Sequence, residues 1–229
     1  MIKACLFDLD GTILDTIKSI AHYCNYALKE FGIEPIETEK FKYFAGNGAK
    51  VLVRRMLEYR KCYSEELFEK VYLFYMQSYD ANPTYLTEPF DGICELLSEL
   101  NNRGIASAVI SNKPDFAAKS VCKEKFEEGL LKVVRGQVDN IKVKPDVEGV
   151  LLVMDEIGVN ANEVLYIGDT DVDMQTGKNL GAYTVGVLWG FRDAKELNTN
   201  GADELVSQPA EILHIIERIN KKQKIFKKI

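Results

Sequence analysis

The sequence predicts an α/β protein: a doubly wound parallel sheet with a small all-helical unit inserted after its first strand. Two observations carry this reading. From Ala106 onward, short apolar runs alternate with helical stretches of about ten residues, the grammar of a parallel sheet covered on both faces. Between Asp15 and Asn82 helical stretches recur, and nothing there reads as a strand. The chain therefore divides into a core, residues 1–14 and 84–229, and a helical insertion, residues 15–83.

Each element follows from its residues. Alternating apolar residues up to Asp8 make the first strand, which Gly11 ends by permitting a tight turn. In Thr16 to Phe31, the residues Ile17, Ile20, Ala21, Tyr23, Cys24, Ala27, Leu28 and Phe31 recur near a 3.6-residue spacing, and Gly32 stops the helix. Helical patterns resume at Ala49 to Tyr59 and Ser64 to Tyr79, and Pro83 breaks the run. Pro89 to Gly92 opens the next helix, which ends near Arg103-Gly104. Strands are then expected at Ala106 to Ile110, Lys132 to Val134, Val164 to Ile167 and Tyr183 to Val187. Helices are expected at Pro114 to Lys125, Val147 to Ile157, Met174 to Asn179 and Pro209 to Asn220. The lysine-rich run Lys221 to Lys228 reads as a solvated helix end.

Composition narrows the function classes. With 46% hydrophobic and 28% charged residues, the chain has an ordinary globular balance, and 229 residues suffice for a full core. A net charge of −6 argues against nucleic acid and acidic membranes as partners. No apolar stretch approaches the roughly 20 residues of a membrane span, and the N-terminus reads as a strand and not a signal peptide. Cys5, Cys24, Cys62, Cys94 and Cys122 are an odd set with no C-x-x-C pair, which suits reduced, mostly buried thiols in a cytoplasmic protein, monomer or homodimer.

Chemistry gathers at the expected strand ends. Asp8 and Asp10, two apart on an extended segment, project to the same side. Two such charges about 4 Å apart repel by roughly 4 kcal/mol at an effective dielectric near 20, so a cation or a retained proton must relieve them. A lone D-x-D-G is equally an acidic turn. Here the second strand runs into Ser111-Asn112-Lys113, a later loop offers Lys144-Pro145 before a helix, and another strand ends in Gly168-Asp169-Thr170-Asp171-Val172-Asp173. Carboxylates, a hydroxyl, a lysine and helix N-terminal amides together suit a hard divalent cation plus a phosphate.

In this order, D-x-D-G-T at Asp8 to Thr12, S-N at Ser111-Asn112, K-P at Lys144-Pro145 and G-D-x-x-x-D at Gly168 to Asp173 resemble the four motifs of the haloacid dehalogenase superfamily of phosphohydrolases. One departure is Val147, where the family often has a second proline. The resemblance implies a Rossmann-like core, a first-type helical cap and a set of roles. Asp8 is the nucleophile that becomes an aspartyl-phosphate, and Asp10 is the acid and base. Mg2+ is held by Asp8, the backbone carbonyl of Asp10 and Asp169, with Asp173 on metal-bound water. Ser111 and the Asn112 amide bind phosphoryl oxygens, and Lys144 holds Asp8 ionised. Thr12 braces its loop by local hydrogen bonding on the substrate-binding side, and Lys113 touches substrate. Asp171 reads as a helix-start acid, and His22 and His214 as bystanders.

The insertion should choose the substrate. Ser19 to Gly32, Gly46-Asn47-Gly48, S-N-K-P, Val187 to Arg192 and Gly201-Ala202-Asp203 resemble phosphoglycolate phosphatases, so the partner implied is a small phosphate ester. Gly46 and Asn47 join the substrate-binding set because flanking glycines permit close backbone approach to an anion, although the same loop is equally a plain inter-helix turn. Arg54 and Arg55 are candidates for a carboxylate contact. Pyrophosphatases, 5′-nucleotidases and sugar phosphatases of the same subfamily remain alternatives. A β-phosphoglucomutase is a weaker one: Ile20 stands where those enzymes place a histidine, and His22 is about 200° away around the helix. Closure of the insertion should hinge near Asp15-Thr16 and Asn82-Pro83.

Overall fold

The computed structural model describes residues 1–226. Strand β1 (Ala4–Phe7) lies inside a six-stranded sheet, between β4 (Ala106–Pro114) and β6 (Val164–Gly168). Beyond β4 lies β5 (Val133–Gln137), and beyond β6 lie β7 (Tyr183–Val187) and β8 (Glu204–Val206). Every pairing in this sheet is parallel, as the alternating pattern predicts. The pleat sorts β1 between two apolar layers. Cys5 and Phe7 join Val109 and Ile167 under α5 (Ile93–Asn102), α6 (Asp115–Lys125) and α10 (Glu211–Phe226), while Ala4 and Leu6 join Tyr166 under α7 (Glu148–Ile157). Helix α8 (Asp171–Leu180) follows β6, and α9 (Ala194–Thr199) follows β7.

Helices α1 (Ile17–Glu30), α2 (Thr38–Phe44), α3 (Ala49–Tyr59) and α4 (Glu65–Ala81) form the insertion. They share an apolar cluster of their own, built on Cys24, Leu28, Phe41, Met56 and Val71. From the core, Ala117 and Phe191 join this cluster. The chain enters through β2 (Leu14–Asp15) and leaves through β3 (Glu88–Pro89), which pair antiparallel with Leu14 opposite Pro89. The two crossings are thus tied side by side, the second one several residues beyond the Asn82-Pro83 expected from sequence.

The elements that the sequence reading lacks share a cause: they are too short to show a period. Helix α2 buries only Phe41 and α9 only Leu197, while β8 is three residues long and β2 and β3 two each. Strand β4 continues past Ile110 to Pro114 through a register shift against β5. Helix α8 begins at Asp171, ahead of the expected Met174, because Thr170 caps it. Cys5, Cys24 and Cys122 are buried free thiols, but Cys94 is exposed. Lys221, Lys222 and Lys224 lie on α10, whereas Lys227 and Lys228 of the expected lysine-rich end lie outside the described residues. Among the described residues, no helix is long and apolar enough to cross a membrane.

Candidate active site

Chain order reverses direction around β1: β4 and β5 continue on one side, β6 to β8 on the other. In open parallel sheets the crevice beyond such a switch point collects functional groups. Asp8 leaves the tip of β1, its backbone N–H donating to the Ile167 carbonyl of β6 at 2.9 Å. Asp169 follows β6, and Asp173 sits in the first turn of α8. Carboxylate oxygens of Asp8, Asp169 and Asp173, all three buried, lie within 4.8 Å of one another.

Lys144, from the loop between β5 and α7, enters this cluster and is buried with it. Its Nζ donates to Asp8 Oδ1 and to Asp173 Oδ1, each at 2.7 Å. The other Asp173 oxygen accepts from the Thr170 hydroxyl at 2.6 Å and the Thr170 N–H at 3.1 Å, so the cap of α8 also aims Asp173 at the lysine. Asp169 accepts from the Thr12 hydroxyl at 2.9 Å and from the Phe191 N–H at 2.8 Å.

Three carboxylates around one ammonium leave two negative charges uncompensated. Burial first, and then the charge of Asp173, push the Asp8 carboxyl up to about 7, against the pull of Lys144. Asp169 is raised well above the ordinary carboxylate range by burial, Asp173 and Asp8. Burial on its own would lower the Lys144 ammonium, but Asp173 and Asp8 more than reverse that and raise it. A hard divalent cation among these oxygens would restore neutrality, and a donor set of carboxylates suits one. Asp8, Asp169 and Asp173 are therefore the residues present that could hold a metal.

Asp10 faces the other way. Its Oδ1 accepts from Lys113 Nζ at 2.8 Å, and that ammonium lies 4.9 Å from the centre of the Tyr79 ring. Burial opposes the Lys113 charge, yet Asp10 and Tyr79 raise it overall. These residues, with Asp8, Ser111, Asn112 and Ile20, line a narrow cavity of about 50 Å³ closed from above by the insertion. Gly46 and Gly48 form part of its wall, with the backbone at φ 109° and 87° that favours glycine; Asn47 between them does not. Asn112 fastens the wall: its side-chain amide donates to Gly46 O at 3.0 Å and Lys144 O at 3.1 Å, and its oxygen accepts from Lys144 N at 2.8 Å.

Three expectations need correction. Thr12 makes no local brace and does not line the cavity; the turn at Gly11 aims its hydroxyl across the sheet at Asp169. Arg54 is exposed and stacks over Tyr63 at 5.4 Å. Arg55 donates to Phe44 O at 3.0 Å, so neither arginine reaches the cavity. Sequence reasoning missed Thr170, whose signal was a capping pattern with Asp173, and the segment Trp189 to Arg192, for which no local signal beyond the resemblance existed. Within it, Trp189 Nε1 donates to Thr12 O at 2.9 Å.

Comparison with known proteins agrees with this geometry. The family of haloacid dehalogenase-like hydrolases matches residues 5–187. The phosphoglycolate phosphatase of Aquifex aeolicus is 30% identical over 217 residues, 94% of this chain and 97% of its own. The N-acetylmuramic acid 6-phosphate phosphatase of Pseudomonas aeruginosa is 27% identical over 218 residues, 95% of this chain and 96% of its own. A crystal structure from Lactobacillus delbrueckii subsp. bulgaricus, assigned provisionally as a phosphoglycolate phosphatase, superposes with a TM-score of 0.87 at 30% identity, covering 92% of this chain and 96% of that one. With its motifs gathered at one crevice and the match spanning most of its length, this chain belongs to the haloacid dehalogenase-like hydrolases.

Proposed function

We propose that the protein is a Mg2+-dependent phosphomonoesterase that works through an aspartyl-phosphate on Asp8, with 2-phosphoglycolate as its substrate. The observation that carries the reaction is the buried cluster of Asp8, Asp169 and Asp173, two positive charges short of neutrality beside a cavity under the insertion. Mg2+ would be held by Asp8, Asp169 and the backbone carbonyl of Asp10, with Asp173 supporting its water; when bound, it supplies the positive charge that lets an anionic phosphate approach an anionic carboxylate. An Asp8 oxygen attacks phosphorus in line, and the ester P–O bond breaks with its electron pair passing to the leaving oxygen. Asp10 gives that oxygen a proton, then takes one from the water that attacks the phosphorus of the aspartyl-phosphate. Ser111 and the Asn112 N–H bind phosphoryl oxygens, and Lys144, together with the cation, favours the ionised form of Asp8.

The substrate reading rests on Lys113, which stands in the cavity beside Asp10. A substrate carboxylate would take Lys113 from Asp10, leaving the Asp10 carboxyl to carry its proton. At Ile20 the wall is apolar and offers no group to move a proton onto a sugar hydroxyl, which speaks against a mutase. The residues 15–83 act in this reading as a cap that admits the substrate and excludes water.

Phosphate release from 2-phosphoglycolate, measured beside N-acetylmuramic acid 6-phosphate, glucose 6-phosphate, pyrophosphate and a nucleoside 5′-monophosphate, tests both parts. Turnover should need Mg2+, vanish with chelator, and fall at least about 10³-fold in Asp8→Asn. Turnover that survives either treatment overturns the mechanism. A larger kcat/KM for another member of the panel overturns the substrate.

A further inference from the structure

We infer that Arg192 is a positioning residue that couples the helical insertion to the Asp169 carboxylate. The four residues after Leu188 make contacts in two directions. Trp189 holds the Thr12 carbonyl, and Thr12 in turn holds Asp169. Gly190 packs so tightly on Asp169 that a side-chain carbon there would lie 2.3 Å from Asp169 Cβ. Phe191 donates its N–H to Asp169 Oδ2 at 2.8 Å while its ring sits in the apolar cluster of the insertion. Arg192, buried, crosses to the insertion itself.

There its guanidinium donates to the carbonyls of Lys42 and Ala45, the latter at 3.2 Å, and its Nε pairs with Glu196 Oε1 at 2.8 Å on its own side. These carbonyls end α2, where the last C=O groups lack helical partners and carry the negative end of the helix dipole. Arg55 holds the neighbouring Phe44 carbonyl from within the insertion. The next residue after Ala45 is Gly46, whose carbonyl meets Asn112 over the cavity. A planar fork that spans two carbonyls fixes orientation as well as distance, which a lysine cannot do. The side chain that holds the corner beside the cavity and the N–H that orients Asp169 therefore belong to adjacent residues, Arg192 and Phe191. Whatever orders one orders the other.

Two consequences follow by linkage, since coupling between sites is reciprocal. A cation that engages Asp169 should steady the α2–α3 corner, and loss of the corner contact should weaken the cation. The Mg2+ arms rest on the cation site proposed above, and the kinetic arm also rests on the phosphatase reaction. Arg192→Gln and Arg192→Lys in the full chain, with hydrogen exchange followed by mass spectrometry with and without Mg2+, and Mg2+ titrated by calorimetry, test it. In the wild type, Mg2+ should slow exchange across residues 41–52. In Arg192→Gln that segment should exchange about fivefold faster or more, lose its response to Mg2+, and bind the ion several-fold more weakly, with β1 and β6 protected as before. Arg192→Lys should fall between, because a single ammonium reaches one carbonyl. The KM for a small phosphate ester should rise more than kcat falls. Unchanged exchange in 41–52, an unchanged Mg2+ response, a lysine variant equal to wild type, or loss of protection throughout the sheet would each overturn the coupling. If the wild type releases no phosphate from any ester yet the exchange and calorimetry behave as stated, the coupling stands and the reaction assigned to the site fails.

Discussion

Asp8 shows what crowding of like charges does to a single residue. Two buried carboxylates stand beside it and only one lysine compensates, so burial and Asp173 lift its carboxyl to about 7. A carboxyl raised on folding stabilises the native state while it stays protonated, and that contribution is lost as pH climbs from the ordinary carboxylate range through about 7. The metal-free protein should therefore lose thermal stability between about pH 4 and pH 7, and Mg2+ should restore it most at the alkaline end, because the cation favours the ionised form. Calorimetric melting at matched pH with EDTA or Mg2+ measures this. A melting temperature that rises over that interval without metal would contradict the charge balance drawn for the site. Asp10 is paired instead with Lys113, at 2.8 Å on the other side of the loop.

At the scale of elements, short connections do the positioning. The tip of β1 aims Asp8, the first turn of α8 aims Asp173, and the segment after β7 holds Asp169 from two directions. Gly190 belongs to that last device by its lack of a side chain and not by its backbone freedom. Gly190→Ala should push Asp169 out of place, weaken Mg2+ binding by about 10- to 100-fold, and destabilise the fold by about 1–3 kcal/mol. Titration calorimetry and denaturant unfolding check the two effects separately, and intact Mg2+ affinity would show that Asp169 needs no such support. Legibility in the sequence followed element length. Strands β6 and β7 and helices α1, α3 and α4 repeat their apolar spacing often enough to be read. Helices α2 and α9 bury one residue each, and a single buried residue has no period.

On the scale of the whole molecule, the sheet and the insertion bury separate clusters, joined through Phe191 and Ala117, by the Arg192 and Asn112 hydrogen bonds, and by the β2–β3 pairing. Truncating Phe41, which is fully buried in the insertion, should cost about 3–5 kcal/mol locally. In Phe41→Ala, amides of α1 to α4 should exchange faster while β1 and β6 keep their protection, as expected of units with distinct cores. Equal loss of protection in both would mean that the two cores unfold as one.

By itself the sequence determined the parallel sheet, the helical insertion and the four stretches from which the site is drawn, because apolar periodicity, a glycine turn and closely spaced carboxylates are properties of neighbouring residues. Folding alone decided which groups meet. Lys144 joins Asp8 and Asp173 while Lys113 goes to Asp10, and Thr12 turns to Asp169 across 157 residues of chain. Arg192 reaches Lys42 across 150. Contacts over such separations depend on how strands order themselves around β1 and how the insertion folds back over them, and no local stretch of residues records that geometry.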